Sequence, residues 1–330
     1  MIDAHAANGS ASLAGVANAL QPSPATAGIS VVIIAQDEEA NIAPCLASVR
    51  WADEVVVVDG GSRDQTVELA SSLGAHVYQN PWPGFSAQWN VAIEHASRDW
   101  VFVLAADERV TDELAEQVLA VAMDDVAFDA YYVLRQTSFL DHAMRGCGWG
   151  DQPELRLFRR GRGRMDGRLV HERLIVDGPV GELTGHLLHY SHPTVRDYLE
   201  NMNRCTSLEA QEALALRQRG SWLPPTGPLL RAGRRWLAGD RSYQSAHAAL
   251  KDELKNRYAW TPLQPFAPLL RFLQMYLLQR GFRDGRHGLY LSLLSATYVL
   301  VKQIKLWELR SSAAVDANTT AGAQEAVGRG

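Results

Sequence analysis

The chain has 330 residues, 47% of them hydrophobic and 21% charged, with a net charge of −5 and three widely spaced cysteines, Cys45, Cys147 and Cys205. This is ordinary for a globular protein of one large or two modest domains, and it argues against a disulfide framework or a Cys-rich zinc site. The charge is uneven: Arg231 to Arg310 carries 14 Lys or Arg against 5 Asp or Glu, which leaves −14 on the rest and suits either an anionic partner for the C-terminal part (membrane phospholipid, a phosphorylated acceptor or nucleic acid) or a solvated basic surface.

Residues 1–28, rich in Ala, Ser, Pro and Gly, lack a basic n-region and a continuous apolar core. They read as a disordered lead-in and not as a signal peptide. ISVVIIA (29–35) is a β-branched run, predicted as a fully buried strand. EEANIAPCLASVRWA follows with apolar residues at Ile42, Cys45, Leu46 and Val49, the pattern of a helical face. EVVVVD (54–59) predicts a second buried strand, and SRDQTVELASSLG a helix with Ser62 as its N-cap. AHVYQ (75–79) predicts a third strand, Phe85 to Ala96 a helix, and DWVFVLA (99–105) a fourth strand. Thr111 then caps another helix, with Asp112 and Glu113 in its first turn. Such alternation predicts a doubly wound, mostly parallel α/β sheet, with ligands at the carboxyl ends of its strands.

From about residue 129 the pattern changes. AYYVLRQTSFL and LRLFRR read as strands joined by the Gly-rich RGCGWGDQP, and a polar helix is predicted from Thr194 to Arg217. SWLPPTGP breaks the chain, and 228–310 is predicted to be mainly helical. PLLRFLQMYLL and GLYLSLLSATYVLVKQIKLWEL combine aromatic, Leu and basic residues as amphipathic helices do, which suits either packing on the α/β domain or a membrane surface. GLYLSLLSATYVLV (288–301) is shorter than the roughly 20 residues a spanning helix needs, so no transmembrane segment is expected. The stretch from 311 onward reads as a disordered tail.

There is no G-x-G-x-x-G after the first strand, no G-x-x-x-x-G-K-[ST] and no G-x-S-x-G, which argues against a Rossmann dinucleotide site, a P-loop and a serine hydrolase elbow. The positive features are acidic and stand at predicted strand ends: Asp37-Glu38-Glu39, Asp59, and Asp107-Glu108. A carboxylate at position 59 suits a base N–H or a ribose hydroxyl, and the small residues Gly60, Gly61 and Ser62 let a ligand approach the backbone. Asp64 and Thr66 suit a turn and a helix start. Arg156 and Arg160 alternate with Arg159 in a strand-like run, so Arg156 and Arg160 share one face. Guanidinium there matches a diphosphate or an anionic acceptor.

Taken in order, ISVVIIAQDEEANIAPCLASVRWADEVVVVDGGSRDQT, GFSAQWNVAIEHASRDWVFVLAADERV, LRLFRR, VHERL, HYSHPTVRDYLENMNR and QRGFRDGRHGL resemble the family 2 glycosyltransferases of GT-A fold. The likeness is greatest to the bacterial branch that includes lipopolysaccharide core β-glucosyltransferases, and it spans about 29–310. It implies a GT-A doubly wound sheet with a helical C-terminal extension: a nucleotide-sugar-binding and catalytic domain over 29–225, then a basic, membrane-associating helical region over 226–310. It implies that Glu38 and Asp59 line the nucleotide pocket together with Gly61, Gln88, Asn90 and Arg156. The D-x-D element reads Ala105-Ala106-Asp107, so the ribose position is lost while Asp107 keeps that of a ligand to Mg²⁺ or Mn²⁺. Val170-His171-Glu172 matches the branch's V-H-E, which makes Glu172 the first candidate for the base that deprotonates the acceptor hydroxyl. Asp151 and Glu154 are alternative bases, and His171 would contact phosphate or orient Glu172. Implied partners are a nucleotide sugar, a saccharide or glycolipid acceptor and the inner face of the cytoplasmic membrane, with no nucleic acid. Ala105 keeps one rival open, a non-catalytic nucleotide-sugar or glycan-binding protein.

Overall fold

The computed structural model describes residues 26–124, 127–218 and 264–327. The chain begins β1 (Thr26–Ala35), α1 (Glu39–Ala47), β2 (Glu54–Asp59), α2 (Thr66–Ser72), β3 (His76–Gln79), α3 (Phe85–His95), β4 (Arg98–Ala105). It continues β5 (Glu108–Val110), α4 (Asp112–Met123), β6 (Ala130–Phe139), β7 (His142–Ala143), β8 (Gln152–Arg159), β9 (Gly163–Met165), β10 (Leu174–Val176) and β11 (Val180–His192). The helices α5 (Val195–Gln218), α6 (Ala267–Leu273) and α7 (Gly285–Val327) follow.

One sheet runs in the order β3-β2-β1-β4-β8-β6-β11-β5, with β7 paired to β6. The first four positions are parallel, Val31 standing opposite Val55 and Phe102. β8 is antiparallel to both β4 and β6, β11 is parallel to β6, and β5 is antiparallel to β11. β1 has no polar side because both faces of the sheet are covered. Ile29, Val31 and Ile33 pack with Ile42 and Leu46 of α1 and Leu114 and Val118 of α4. Val32 and Ile34 pack on the other face with Trp89 and Ala92 of α3. Thr111 caps α4 as expected, its hydroxyl accepting the Leu114 N–H at 3.3 Å.

A third core joins the sheet to the C-terminal helices through Phe139, Met144, Cys147, Tyr198, Met202, Met275 and Leu291. The Gly-rich segment is fastened here. Asp284, 5% exposed, accepts the N–H groups of Arg145 at 3.0 Å and Gly146 at 2.7 Å. A side chain at Gly288 would collide with the Gly281 carbonyl, so this turn closes onto α7 backbone to backbone. Much of the expected lead-in, residues 1–25, and the stretch 219–263 lie outside the described residues.

Two expectations change. α7 runs to Val327, through the stretch expected to be a disordered tail; its alanines (SSAAVDANTTAGAQEA) favour helix, and it extends a helix already nucleated and docked. Ser62 does not cap α2, which begins at Thr66 with Gln65 before it. Among the described residues, no helix is long and apolar enough to cross a membrane.

Asp284→Ala orphans two backbone donors in a dry junction. It is expected to cost about 2–4 kcal/mol, read as a lower midpoint in urea unfolding, with Asp284→Asn recovering part of the loss.

Candidate active site

The loops after β1 and β2 are laced together by short polar side chains. Asp37 adopts a left-handed backbone (φ 57°); its N–H donates to Ser62 Oγ at 2.9 Å and its Oδ1 accepts the Arg63 N–H at 2.7 Å. The Glu38 N–H donates to Thr66 Oγ1 at 2.8 Å and the Glu39 N–H to Asp64 Oδ2 at 3.0 Å. Asp64 and Thr66 therefore stabilise the turn and the helix start. Asp59 is fully buried, and its carboxylate accepts the Gly61 N–H at 2.9 Å, the Ser62 N–H at 3.1 Å and the Ser62 hydroxyl. This explains why Ser62 is no helix cap: a buried carboxylate three residues upstream offers its hydroxyl a charge-assisted partner. Asp59 thus shapes the 60–62 turn from beneath. Gly61, at φ 96° with open space where a side chain would stand, leaves the turn's backbone approachable.

At the carboxyl end of β4 the chain turns sharply. Glu108, 1% exposed, accepts the Ala105 N–H at 2.9 Å and binds Arg156 Nη2 at 2.6 Å. Arg156 has its expected place in β8, but the structure directs it to Glu108 inside the protein. Asp107 stands beside this pair with 28% of its side chain exposed, and its Oδ2 lies 3.2 Å from Nε2 of His189 on β11. Thr137 Oγ1 contacts the other imidazole nitrogen at 3.3 Å. Burial pushes the Asp107 carboxyl up, but the charge and hydrogen bond of His189, with the charge of Arg135, hold it below the ordinary carboxylate value. Glu38 lies in the field of Asp107. Burial raises its carboxyl against the Asn41 hydrogen bond (2.8 Å), and the negative charge of Asp107 adds to the rise.

Among the described residues no three His, Cys, Asp or Glu side chains converge on one point. A cation at this edge would meet the Asp107 oxygen and the His189 nitrogen, which lie 3.2 Å apart. That set fits a divalent cation that draws its remaining ligands from phosphate oxygens and water.

On the other side of α3, the loop 166–173 carries the V-H-E stretch. Ser86 Oγ donates to the Arg168 carbonyl at 2.8 Å, Asn90 Oδ1 accepts the Met165 N–H at 2.8 Å, and Trp89 Nε1 donates to Glu172 Oε1 at 3.1 Å. Asn90 thus holds β9. The buried Gln88 braces the end of β2, donating to the Val58 carbonyl at 3.4 Å, and accepts from Asn80 Nδ2 just past β3 at 2.7 Å. His171 has a left-handed backbone (φ 55°), and its Nε2 lies 2.7 Å from Glu209 Oε1 on α5. Glu209, 8% exposed, also accepts from Tyr298 Oη at 2.7 Å and pairs with Lys302 Nζ at 2.8 Å, both on α7. Asp151 is exposed and 3.5 Å from His186 Nε2. His186 and His189 are three residues apart in continuous register on β11, so their side chains leave opposite faces. The structure therefore brings Glu38, Asp107 and the 60–62 turn to one strand edge, holds Glu172 on α3, and leaves Asp151 on another face. Glu154 is paired with Arg135 at 2.9 Å.

Sequence reasoning overlooked His189 and Glu209. The signal for the first is the three-residue spacing of His186, His189 and His192, which fits neither side of a strand. Glu209 is one of several acids on a polar helix and carries no local mark.

Residues 30–172 match the family described as Glycosyl transferase family 2. The lipopolysaccharide core biosynthesis glycosyltransferase LpsC of Rhizobium meliloti is 32% identical over 193 residues, covering 56% of this chain and 71% of that protein. An uncharacterized glycosyltransferase of Rickettsia typhi is 43% identical over 91 residues, 27% of this chain and 31% of its own length. Among solved structures, glucosyl-3-phosphoglycerate synthase from Mycobacterium tuberculosis, crystallised with Mn²⁺, UDP and glucosyl-3-phosphoglycerate, is 22% identical with a TM-score of 0.29. The match covers 33% of this chain and 44% of that one. These last two matches span less than half of the other protein's length.

With its folded-state value depressed, Asp107 contributes stability that is present at neutral pH and lost as pH falls through that lowered value. His189→Ala is expected to raise the Asp107 carboxyl, followed by carbon NMR titration of the metal-free protein. It should lower thermal stability at neutral pH more than in acid.

Proposed function

The chain belongs to glycosyltransferase family 2, and we propose that it moves a hexose from a nucleotide sugar, UDP-hexose foremost, to a lipid-linked or lipopolysaccharide-core saccharide, with inversion at the anomeric carbon. The observation that carries this reading is the Asp107–His189 pair at the carboxyl end of β4, where open α/β sheets bind ligands. A divalent cation, Mg²⁺ or Mn²⁺, would be held by these two side chains and would offset the charge gained by the departing nucleoside diphosphate. The 60–62 turn offers approachable backbone for the nucleotide, and Glu38 adds a carboxyl within the field of Asp107.

Glu172 is the base in this reading. Trp89 holds one carboxylate oxygen, and the other accepts the acceptor's hydroxyl proton as that oxygen attacks the anomeric carbon. Direct displacement from the face opposite the diphosphate inverts the centre. His171, fixed by Glu209, sets the angle of the loop that presents Glu172. The acceptor class is supported by the Rhizobium meliloti relative, a lipopolysaccharide core biosynthesis glycosyltransferase. Work at the inner face of the cytoplasmic membrane follows from an acceptor of that class.

Ala105 removes only the ribose carboxylate of the D-x-D element, and a single such hydrogen bond is worth about 0.5–1.5 kcal/mol net. Donor affinity is weakened and chemistry survives. Calorimetry with UDP-, GDP-, ADP- and dTDP-sugars, with and without Mn²⁺, is expected to show metal-dependent binding of UDP-hexose. Asp107→Ala should abolish the metal effect, and Ala105→Asp should tighten binding up to about tenfold. Metal-independent binding in the parent protein would count against the Asp107 assignment. Glu172→Gln is expected to lower kcat about 10²- to 10⁴-fold while donor affinity holds. Binding with no turnover in the parent protein, even with a membrane extract as acceptor, would favour the non-catalytic reading.

A further inference from the structure

The C-terminal helices present a large apolar surface to water. On α6 and the π turn that continues it (Gln274–Leu278), Leu269, Leu273, Leu277 and Leu278 are 56%, 38%, 52% and 80% exposed. On α7, Tyr290, Leu293, Leu300, Ile304 and Trp307 are exposed along a single stripe, Trp307 by 67%. α6 packs against α7, so the two sets belong to one body. Isolated exposed leucines need no explanation, but a surface of this extent marks an interaction site.

The charges beside it choose the partner. Between Phe266 and Tyr290 the exposed charged side chains are Arg280, Arg283 and Arg286. The acid of that stretch, Asp284, is turned inward to hold the 145–146 backbone. Glu308, beside Trp307 at the far end of the α7 stripe, is exposed, but the surface is otherwise leucines, aromatics and arginines, the chemistry of a helix lying in an anionic lipid interface. The stripe on α7 alone has the alternating three- and four-residue spacing of a coiled-coil seam, which would suit a second copy. A seam of that kind accounts for the α7 stripe alone and gives no role to the exposed α6 leucines or to the three arginines. Among the described residues no helix is long and apolar enough to cross a membrane, which suits a contact that lies along the surface.

We propose that the face formed by α6, its π turn and the exposed stripe of α7 docks on anionic phospholipid, with the leucines entering the acyl boundary and Arg280, Arg283 and Arg286 meeting lipid phosphates. It deepens the proposed reading of a lipid-linked acceptor, on which it rests, by naming the surface that meets the bilayer. The docked helix is the one whose Tyr298 and Lys302 hold Glu209, and through it His171. The membrane-facing body and the loop of Glu172 are thereby joined through the contacts of Glu209.

The test is co-flotation of the full chain with vesicles of phosphatidylcholine alone or with phosphatidylglycerol, without donor or acceptor. Binding is expected to require phosphatidylglycerol and to weaken with salt. Leu269→Gln/Leu273→Gln/Leu277→Gln and, separately, Arg280→Gln/Arg283→Gln/Arg286→Gln should each reduce it roughly tenfold or more, with circular dichroism and donor calorimetry unchanged. No flotation, or flotation indifferent to both variants, overturns the proposal. A dimer in light scattering that the leucine variant dissociates, with no flotation, assigns the face to a second copy and also overturns it. Donor binding without flotation refutes the docking face alone, and flotation without donor binding refutes the enzymatic reading alone.

Discussion

The ion pair between Glu108 and Arg156 sets the geometry on which the site depends. Glu108 has almost no access to water, yet it carries a charge that must be satisfied, and it is satisfied twice: by the Arg156 guanidinium and by the Ala105 N–H at the end of β4. The second bond folds the chain back on itself within three residues. β5 is thereby laid against β11 with Glu108 opposite His189, and Asp107 is left at the lip of the sheet with the imidazole beside it. A buried ion pair of this kind adds little to stability compared with apolar packing, because desolvation cancels most of the attraction. Its contribution here is a single allowed path for the backbone, which a greasy replacement would not dictate. The arginine expected at the diphosphate is the one that the turn consumes.

A second constraint ties the C-terminal helices to the α/β domain at two places. Asp284 clamps the Gly-rich segment, and Glu209 gathers His171, Tyr298 and Lys302. Each is a buried acid surrounded by donors from distant parts of the sequence, so neither half of the molecule satisfies it alone. The C-terminal region is in this sense a structural part of the loop that carries Glu172.

How much of this could be read from the sequence depended on the range of the forces involved. The strands β1, β2 and β4 were legible because a strand covered on both faces has to be apolar throughout. Asp107 drew attention because an acid that ends such a run is conspicuous, and it stands at the end of β4 beside His189. Arg156 was correctly placed on its strand, but its partner was not, since nothing in the sequence says that Glu108 points inward while Asp107 points out. Ser62 was misread because its local neighbours suit a helix cap, while the group that captures it, Asp59, acts through burial. His189 lies 82 residues from Asp107 and meets it through strand pairing, which composition does not encode. The helix beyond residue 311 was missed because composition weighs alanine, serine and glycine as lead-in material and takes no account of the docked helix it extends.

The register of the parallel strands has a consequence for how such a chain tolerates change. Ala35 stands opposite Asp59, and Ile34 opposite Ala105. Residues 59 and 105 reach one edge because each strand is locked to β1 by its own ladder, whatever the length of the connection between them. Extra residues at the far ends of α1, α2 or α3 can bulge into solvent and leave the carboxylates where they are. A single residue inserted within β4 instead turns every side chain after it to the opposite face, burying Asp107 and expelling Glu108. The positions that look most monotonous in the sequence, the runs of valine and isoleucine, are therefore the ones least able to absorb an insertion, while the more varied helical connections can change length without moving the site.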